Sequence, residues 1–168
     1  MPTHRLLLIR HAQAAAAPTD RDRPLTTHGA RAAAAIGTWL QESGYVPDSV
    51  MVSPALRAQQ TWAAVAESLG GDREPTVDRR IYDNTVAALL DVIGELAGEA
   101  GTVAVVGHNP SIGELAFVLD DGEGSDSARR PLHAGFPAGA VAVFQVDVPF
   151  ADLGPGVATL EEFAVPIA

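Results

Sequence analysis

The chain has 168 residues with 47% apolar and 19% charged side chains, which fits one globular domain over residues 1–168 and excludes wholesale disorder. It has no cysteine, so disulfides, cysteine-based zinc sites and a thiol nucleophile are excluded. Its net charge of −10 is unfavourable for binding nucleic acid or anionic lipid, and its eleven basic residues are all arginine, which excludes Schiff-base and P-loop lysine chemistry.

The apolar run Leu6–Ile9 reads as a short buried strand and is too short for the core of a signal peptide. No stretch approaches the ~20 apolar residues of a membrane span. Both observations, with the missing cysteines, place the expected location in the cytoplasm. Residues 12–24 read as a loop. Thr26 or Thr27 caps a helix that runs to about Ser43 and stops at Gly44, with Ala32, Ile36, Trp39 and Leu40 on one face.

Ser49–Val52 is the second strand. Ser53-Pro54 has the form of an N-cap and first helical position, opening a helix striped by Trp62, Val65, Ala66 and Leu69. A short third strand is expected around Val77. Asn84 is the expected cap of a helix whose Val86, Leu89, Leu90, Ile93, Leu96 and Ala97 recur at helical spacing. Thr102–Val106 is another buried strand, followed by the turn Gly107-His108-Asn109-Pro110 and a further helix. Residues 120–135 read as an acidic, Gly/Ser-containing loop, with Asp120 to Asp126 a solvated run. Ala140–Val148 and Thr159–Val165 complete the set as strands at the sheet edge.

Short apolar strands alternating with amphipathic helices predict a three-layer α/β/α domain around a mostly parallel sheet. Ligands in such folds bind beyond the C-terminal strand ends. Arg10 and His11 follow the first strand, Arg57 lies in the first turn of the helix after the second, and His108 follows the strand at 102–106. Arginine presents a planar fork of donors that matches phosphate oxygens. A protonated histidine and two helix N-termini would add further donors. A neutral histidine with one free ring nitrogen is able to attack phosphorus. His11 is the better candidate, since a buried strand end would fix it, and His108 would remain a donor to the phosphoryl group.

The segments Leu8-Ile9-Arg10-His11-Ala12, Ser53-Pro54-Ala55-Leu56-Arg57-Ala58-Gln59-Gln60-Thr61 and Val106-Gly107-His108-Asn109-Pro110 resemble the histidine phosphatase superfamily, branch 1. The short length, the loop Asp20-Arg21-Asp22-Arg23-Pro24-Leu25-Thr26 and Gly29 are most similar to its small phosphohistidine phosphatases of the SixA type. The resemblance spans roughly Leu6 to Val146. It implies a phosphoglycerate-mutase-like fold, a phosphohistidine intermediate on His11, and Arg10, Arg57 and His108 around the phosphoryl group. It implies no metal and no cofactor. The substrate would be a phosphorylated protein or a small phosphorylated molecule; nothing in the sequence fixes the oligomeric state.

The chain departs from the family pattern at Gln13, where many relatives carry a charged residue. Larger relatives place a glutamate general acid after the third strand, where this chain has Ile81-Tyr82-Asp83-Asn84. Asp83 is therefore the candidate general acid. A phosphohistidine substrate relaxes that need, because a protonated imidazole leaves as a neutral ring. Two alternatives stand beside a protein phosphohistidine phosphatase: a small-molecule phosphomonoesterase, and a non-catalytic phosphate-binding module on the same fold. His4, His28 and His133 are read as solvent or loop residues, Arg23 as a structural ion pair, and Trp39 and Trp62 as core.

Overall fold

The computed structural model describes residues 3–71 and 73–167. Its strands are β1 (His4–Arg10), β2 (Ser49–Val52), β3 (Thr76–Val77), β4 (Thr102–Gly107), β5 (Val141–Val146) and β6 (Ala158–Ala164). They form one sheet in the order β3-β2-β4-β1-β5-β6. The first four run parallel, while β5 is antiparallel to β1 and β6 to β5. The sheet is thus mostly parallel, with an antiparallel flank. β6 lies at the edge as expected, but β5 is an interior strand between β1 and β6.

Strand side chains alternate between two faces. Leu7, Ile9, Val50, Val52, Ala104 and Val106 pack against Ile36 and Leu40 of α1 (Thr27–Ser43) and Ala58, Trp62 and Val65 of α2 (Leu56–Leu69). Leu6, Leu8, Met51, Val103 and Val105 face the opposite layer. There they meet α3 (Val86–Leu96), α4 (Ser111–Leu119) and α5 (Asp126–Ala134) through Leu89, Ile93, Ile112, Leu115 and Leu132. Leu6 to Ile9 are wholly buried, each side chain worth about 1.5–3 kcal/mol. This is one α/β/α domain. No helix among the described residues is long and apolar enough to cross a membrane.

The helix caps follow the sequence in part. Thr26 caps α1, its Oγ1 accepting from Gly29 N at 2.9 Å, and Gly44 ends it at φ 78°. On α1, Ala33 and Gly37 are buried with Ile36 and Leu40, while Ala32 and Trp39 are only half-buried. Gly37 permits the close contact with α2, since a Cβ there would stand 2.4 Å from the Val65 carbonyl oxygen.

Three expected caps are displaced. α2 begins at Leu56 with Ala55 before it, so Ser53 is not its cap. Thr85, whose Oγ1 accepts from Ala88 N, caps α3 in place of Asn84. α4 begins at Ser111, while Asn109 Oδ1 accepts from Gly113 N. Ser53, Asn84 and Asn109 each have other partners at the cleft described below.

Residues 126–134 form α5, where the sequence reads as loop. Its first turn is capped by Ser125, and Pro131 sits inside it. Asp120 is likewise not a solvated residue. Its side chain is 3% exposed and accepts from Arg129 Nε at 3.0 Å, with His133 Nε2 at 3.3 Å.

Gly29 sets how the loop at 12–24 meets α1. A Cβ on Gly29 would lie 2.1 Å from the carbonyl oxygen of Gln13, a backbone atom that also accepts from Thr26 N. Gly29→Ala is therefore expected to destabilise the domain by about 1–3 kcal/mol, read as a lower denaturant midpoint in chemical unfolding. An unchanged midpoint would show that the loop gives way freely.

Candidate active site

The register of the parallel strands brings the reactive residues to one rim. Arg10 of β1 pairs with Gly107 of β4, and Val52 of β2 pairs with Val106. The next residue on each strand is His11, His108 and Ser53. His11 and His108 leave the sheet at the same level, and Ser53 leaves the adjacent strand one residue short of them. A cleft of about 410 Å³ opens there, lined by Arg10, His11, Asp20, Arg23, Arg57, Tyr82, Asn84, His108 and Asn109. The structure thus brings His11, Arg10, Arg57 and His108 together.

His11 is held by its own backbone neighbourhood. Its Nδ1 lies 2.8 Å from the Ala12 carbonyl oxygen, which only accepts, so Nδ1 carries the proton. Nε2 is left with a lone pair and accepts from Arg57 Nε at 3.3 Å. Ala12 N in turn donates to Thr61 Oγ1 at 3.0 Å, tying the end of β1 to α2. Burial lowers the His11 pKa to about 4, with Arg57, Arg10 and Arg23 adding repulsion and the Ala12 hydrogen bond opposing.

His108 is 4% exposed, and its ring centroid lies 5.2 Å from that of His11. Its Nε2 is 2.7 Å from Ser53 Oγ, an oxygen that accepts from Ala55 N. Burial, then the neighbouring His11 and Arg57, lower the His108 pKa to about 3. Both imidazoles are therefore uncharged at neutral pH, where the sequence pointed to a protonated histidine. The positive charge comes from the arginines.

Arg57, 6% exposed, spends its fork on three partners. Nε reaches His11, Nη1 donates to the Asp20 carbonyl oxygen at 2.8 Å, and Nη2 donates to Asp20 Oδ2 at 3.1 Å. Arg10 Nη1 donates to the Phe136 carbonyl oxygen at 3.0 Å, and the same oxygen accepts from Asn109 Nδ2. Burial lowers the Arg10 pKa. Arg10 Nε and His108 Nδ1 are buried without a hydrogen-bond partner, an arrangement uncommon enough to require an explanation.

Asp20, which the sequence offered only as part of the family-like loop and, like Tyr82, without a role at the site, lines the cleft. It opens a single helical turn, Asp20–Asp22, inside the loop at 12–24. Its Oδ2 also accepts from Tyr82 OH at 2.6 Å, and its Oδ1 from Arg23 Nη1 at 3.3 Å. The Tyr82 bond first, then those of Arg57 and Arg23, hold its pKa at about 2 against some desolvation. Arg23 thus makes the structural ion pair expected of it, and it also lines the cleft. Asn84 braces the turn before α4, donating to the Asn109 carbonyl oxygen and accepting from Ser111 N. It does so from φ 63°, a conformation asparagine tolerates better than most residues.

Asp83, the candidate general acid, is exposed and does not line the cleft; its neighbours Tyr82 and Asn84 do. Tyr82 packs edge-on against the His108 ring and Asn84 bonds to Asn109, while Asp83 between them is exposed. Gln13 Oε1 accepts from Thr26 Oγ1 at 2.8 Å, a tie between loop and helix. His4 and His133 lie outside the cleft, against Phe150 and Phe117, and His28 sits on α1. No cluster of metal-ligating residues is present among the described residues.

The pattern of the histidine phosphatase superfamily (branch 1) matches residues 6–87. Phosphohistidine phosphatase SixA of Escherichia coli is 31% identical over 121 residues, covering 70% of this chain and 75% of that protein. An uncharacterized protein of Mycobacterium tuberculosis is 35% identical over 161 residues, 94% of this chain and 99% of its own. A structure provisionally named phosphohistidine phosphatase SixA of Nakamurella multipartitia superposes with a TM-score of 0.86 at 34% identity, covering 100% of this chain and 99% of that one. The protein histidine phosphatase SixA complexed with tungstate gives 0.73 at 27% identity, covering 96% and 97%. The matching family pattern, the shared fold and this level of identity together make the chain a SixA-like member of the histidine phosphatase superfamily, branch 1.

Proposed function

We propose that the protein is a metal-independent phosphohistidine phosphatase that passes the phosphoryl group through Nε2 of His11. The observation that carries this reading is the state of that atom. Nδ1 is committed to the Ala12 carbonyl, and Nε2 presents a lone pair inside a cleft lined by three arginines. In the first step Nε2 attacks phosphorus and the bond to the substrate's leaving atom breaks. In the second, a water oxygen attacks the same phosphorus. The P–Nε2 bond breaks, inorganic phosphate departs, and His11 regains its lone pair. Arg10, Arg57 and His108 hold the phosphoryl oxygens. Arg10 Nε and His108 Nδ1, buried without partners, are the donor and ring nitrogen that a bound anion would engage.

The leaving group follows from the carboxylates. Among the described residues lining the cleft the one carboxylate is Asp20, kept ionised by Tyr82 and the arginines, so it has no proton to give at neutral pH. A substrate that carries its own proton suits such a site. A phosphohistidine protonated on its ring carries an imidazolium leaving group, which departs as neutral imidazole when the P–N bond breaks. An alkyl phosphate would have to expel an alkoxide unaided. A phosphorylated protein is thus the favoured substrate class, and the tungstate held by the related SixA structure is an oxyanion of the same charge type.

The test is a substrate panel of phosphohistidine protein, an aryl phosphate and a sugar phosphate, each with and without chelator. The expected order of kcat/KM is phosphohistidine first, aryl phosphate second and sugar phosphate last, unaffected by chelation and blocked by tungstate. Preference for the sugar phosphate would overturn the substrate assignment, and loss of turnover on chelation would overturn the metal independence.

The pH profile gives a second check. His11 attacks only when Nε2 is unprotonated, so the free enzyme loses activity as pH falls through about 4, the lowered pKa. Once the substrate's own ionisation is corrected for, the acid limb of kcat/KM should lie near 4, well below the value of an ordinary histidine. A limb at an unperturbed histidine pKa, ~6.5, would contradict the assignment.

A further inference from the structure

We propose that Asp20 is a positioning residue for Arg57, and that its negative charge limits how tightly the cleft retains inorganic phosphate. The proposal deepens the phosphatase reading and rests on it for its kinetic part.

Asp20 grips Arg57 at two points. The Asp20 carbonyl oxygen takes Nη1 and Oδ2 takes Nη2, so the plane of the guanidinium is fixed from the side away from Nε. The third contact of Arg57 is with His11 Nε2, the attacking atom. That contact is lost once the lone pair engages phosphorus. From then on Asp20 is what keeps the fork aligned, and the second N–H on each terminal nitrogen remains free for phosphoryl oxygens. Tyr82 secures the carboxylate from the far wall through its hydroxyl, and Arg23 secures the other oxygen. Asp20 thereby also ties the loop at 12–24 to the segment before α3, across the mouth of the cleft.

The charge balance follows from the same contacts. Arg10, Arg23 and Arg57 carry three positive charges, both imidazoles are neutral, and Asp20 supplies one negative charge directly on Arg57. These charges leave the lining about two units positive, which matches a phosphate dianion. With Asp20 neutralised, the same anion would meet an unopposed triple cation. Binding would tighten and release would slow. Half of the Asp20 side chain is open to solvent (52% exposed), so solvent screens this effect and salt should reduce it.

The experiment uses the full chain with Asp20→Ala and Asp20→Asn. Calorimetric binding of inorganic phosphate and aryl phosphate kinetics are both measured at two salt concentrations. In both variants phosphate should bind about threefold to tenfold more tightly at low salt, with a smaller gain at high salt. Asp20→Ala should lose about tenfold in kcat with little change in KM, because the fork is no longer aligned. Asp20→Asn, whose amide oxygen still accepts from Nη2, should recover most of that kcat.

A wild-type kcat in Asp20→Ala, a loss that asparagine does not restore, or unchanged phosphate affinity in Asp20→Asn would each overturn the proposal. If Asp20→Ala does not fold, phosphate binding by the isosteric Asp20→Asn decides the matter. Binding is read without turnover. A wild-type protein that binds phosphate but hydrolyses nothing would therefore defeat the phosphatase reading while leaving the charge effect of Asp20 measurable.

Discussion

His11→Ala is expected to abolish turnover, by roughly 10⁴-fold or more, the scale seen when a covalent nucleophile is removed. Its backbone N donates to the Gly107 carbonyl oxygen, a bond alanine keeps, and the adjoining strand is buried independently of the imidazole. The fold should therefore persist, with a circular dichroism spectrum like that of the wild type. Phosphate binding should largely survive, because Arg10, Arg57 and His108 are untouched, and calorimetry would show it within about tenfold of the wild-type affinity. Incubation of the wild type with substrate and rapid acid-free quenching should trap one phosphoryl group per chain, absent from the variant. Turnover near the wild-type rate in His11→Ala would remove the covalent step altogether.

Arg57→Lys carries the second-largest effect. Lysine keeps the charge but offers one compact ammonium where arginine offers a planar fork. One ammonium cannot reach His11 Nε2, the Asp20 carbonyl oxygen and Asp20 Oδ2 in the geometry the guanidinium spans. In the proposed role of Arg57, both ground-state and transition-state contacts to the phosphoryl oxygens would be lost with it. kcat/KM should fall about 10²- to 10³-fold, equivalent to about 3–4 kcal/mol of transition-state stabilisation. The loss should be split between kcat and KM. Phosphate affinity should weaken in the same variant, which separates it from the variants of Asp20. Kinetics within a factor of about two of wild type would place Arg57 outside the reaction.

The sheet was legible because its strands are short apolar runs followed at once by charged or turn residues. Leu6–Ile9 and Thr102–Val106 have no other plausible fate in a chain of this size. That legibility extends to the site, since His11, Arg57 and His108 are each placed by the end of such a run or by the helix after it. α5 escaped because its stretch is rich in Asp, Arg and Pro, and only Ala128 and Leu132 of it are buried. Local propensity is weak there, and packing on the sheet supplies the helix.

Asp20 escaped for a different reason. Its partners Arg57 and Tyr82 lie 37 and 62 residues away, and nothing in the string of a polar loop marks one aspartate over another. Ser53, Asn84 and Asn109 show the same limit from the other side. Each has the chemistry of a helix cap and stands where a cap would stand. The side chains of Ser53 and Asn84 are spent on His108 and on the turn before α4, and Asn109 divides its amide between Gly113 N and Phe136 O.

The proton on His11 Nδ1 is held by the peptide oxygen of the very next residue. Hydrolases that orient their histidine with a carboxylate side chain can lose that support in a single codon change. Here no substitution deletes the orienting group, because every amino acid brings the same carbonyl. The group is also uncharged, and the small rise in basicity it gives the ring is outweighed by burial, which leaves the His11 pKa at about 4. In the proposed cycle a ring of modest basicity would form a P–N bond that water can readily break, which would favour clearance of the covalent adduct on every turnover.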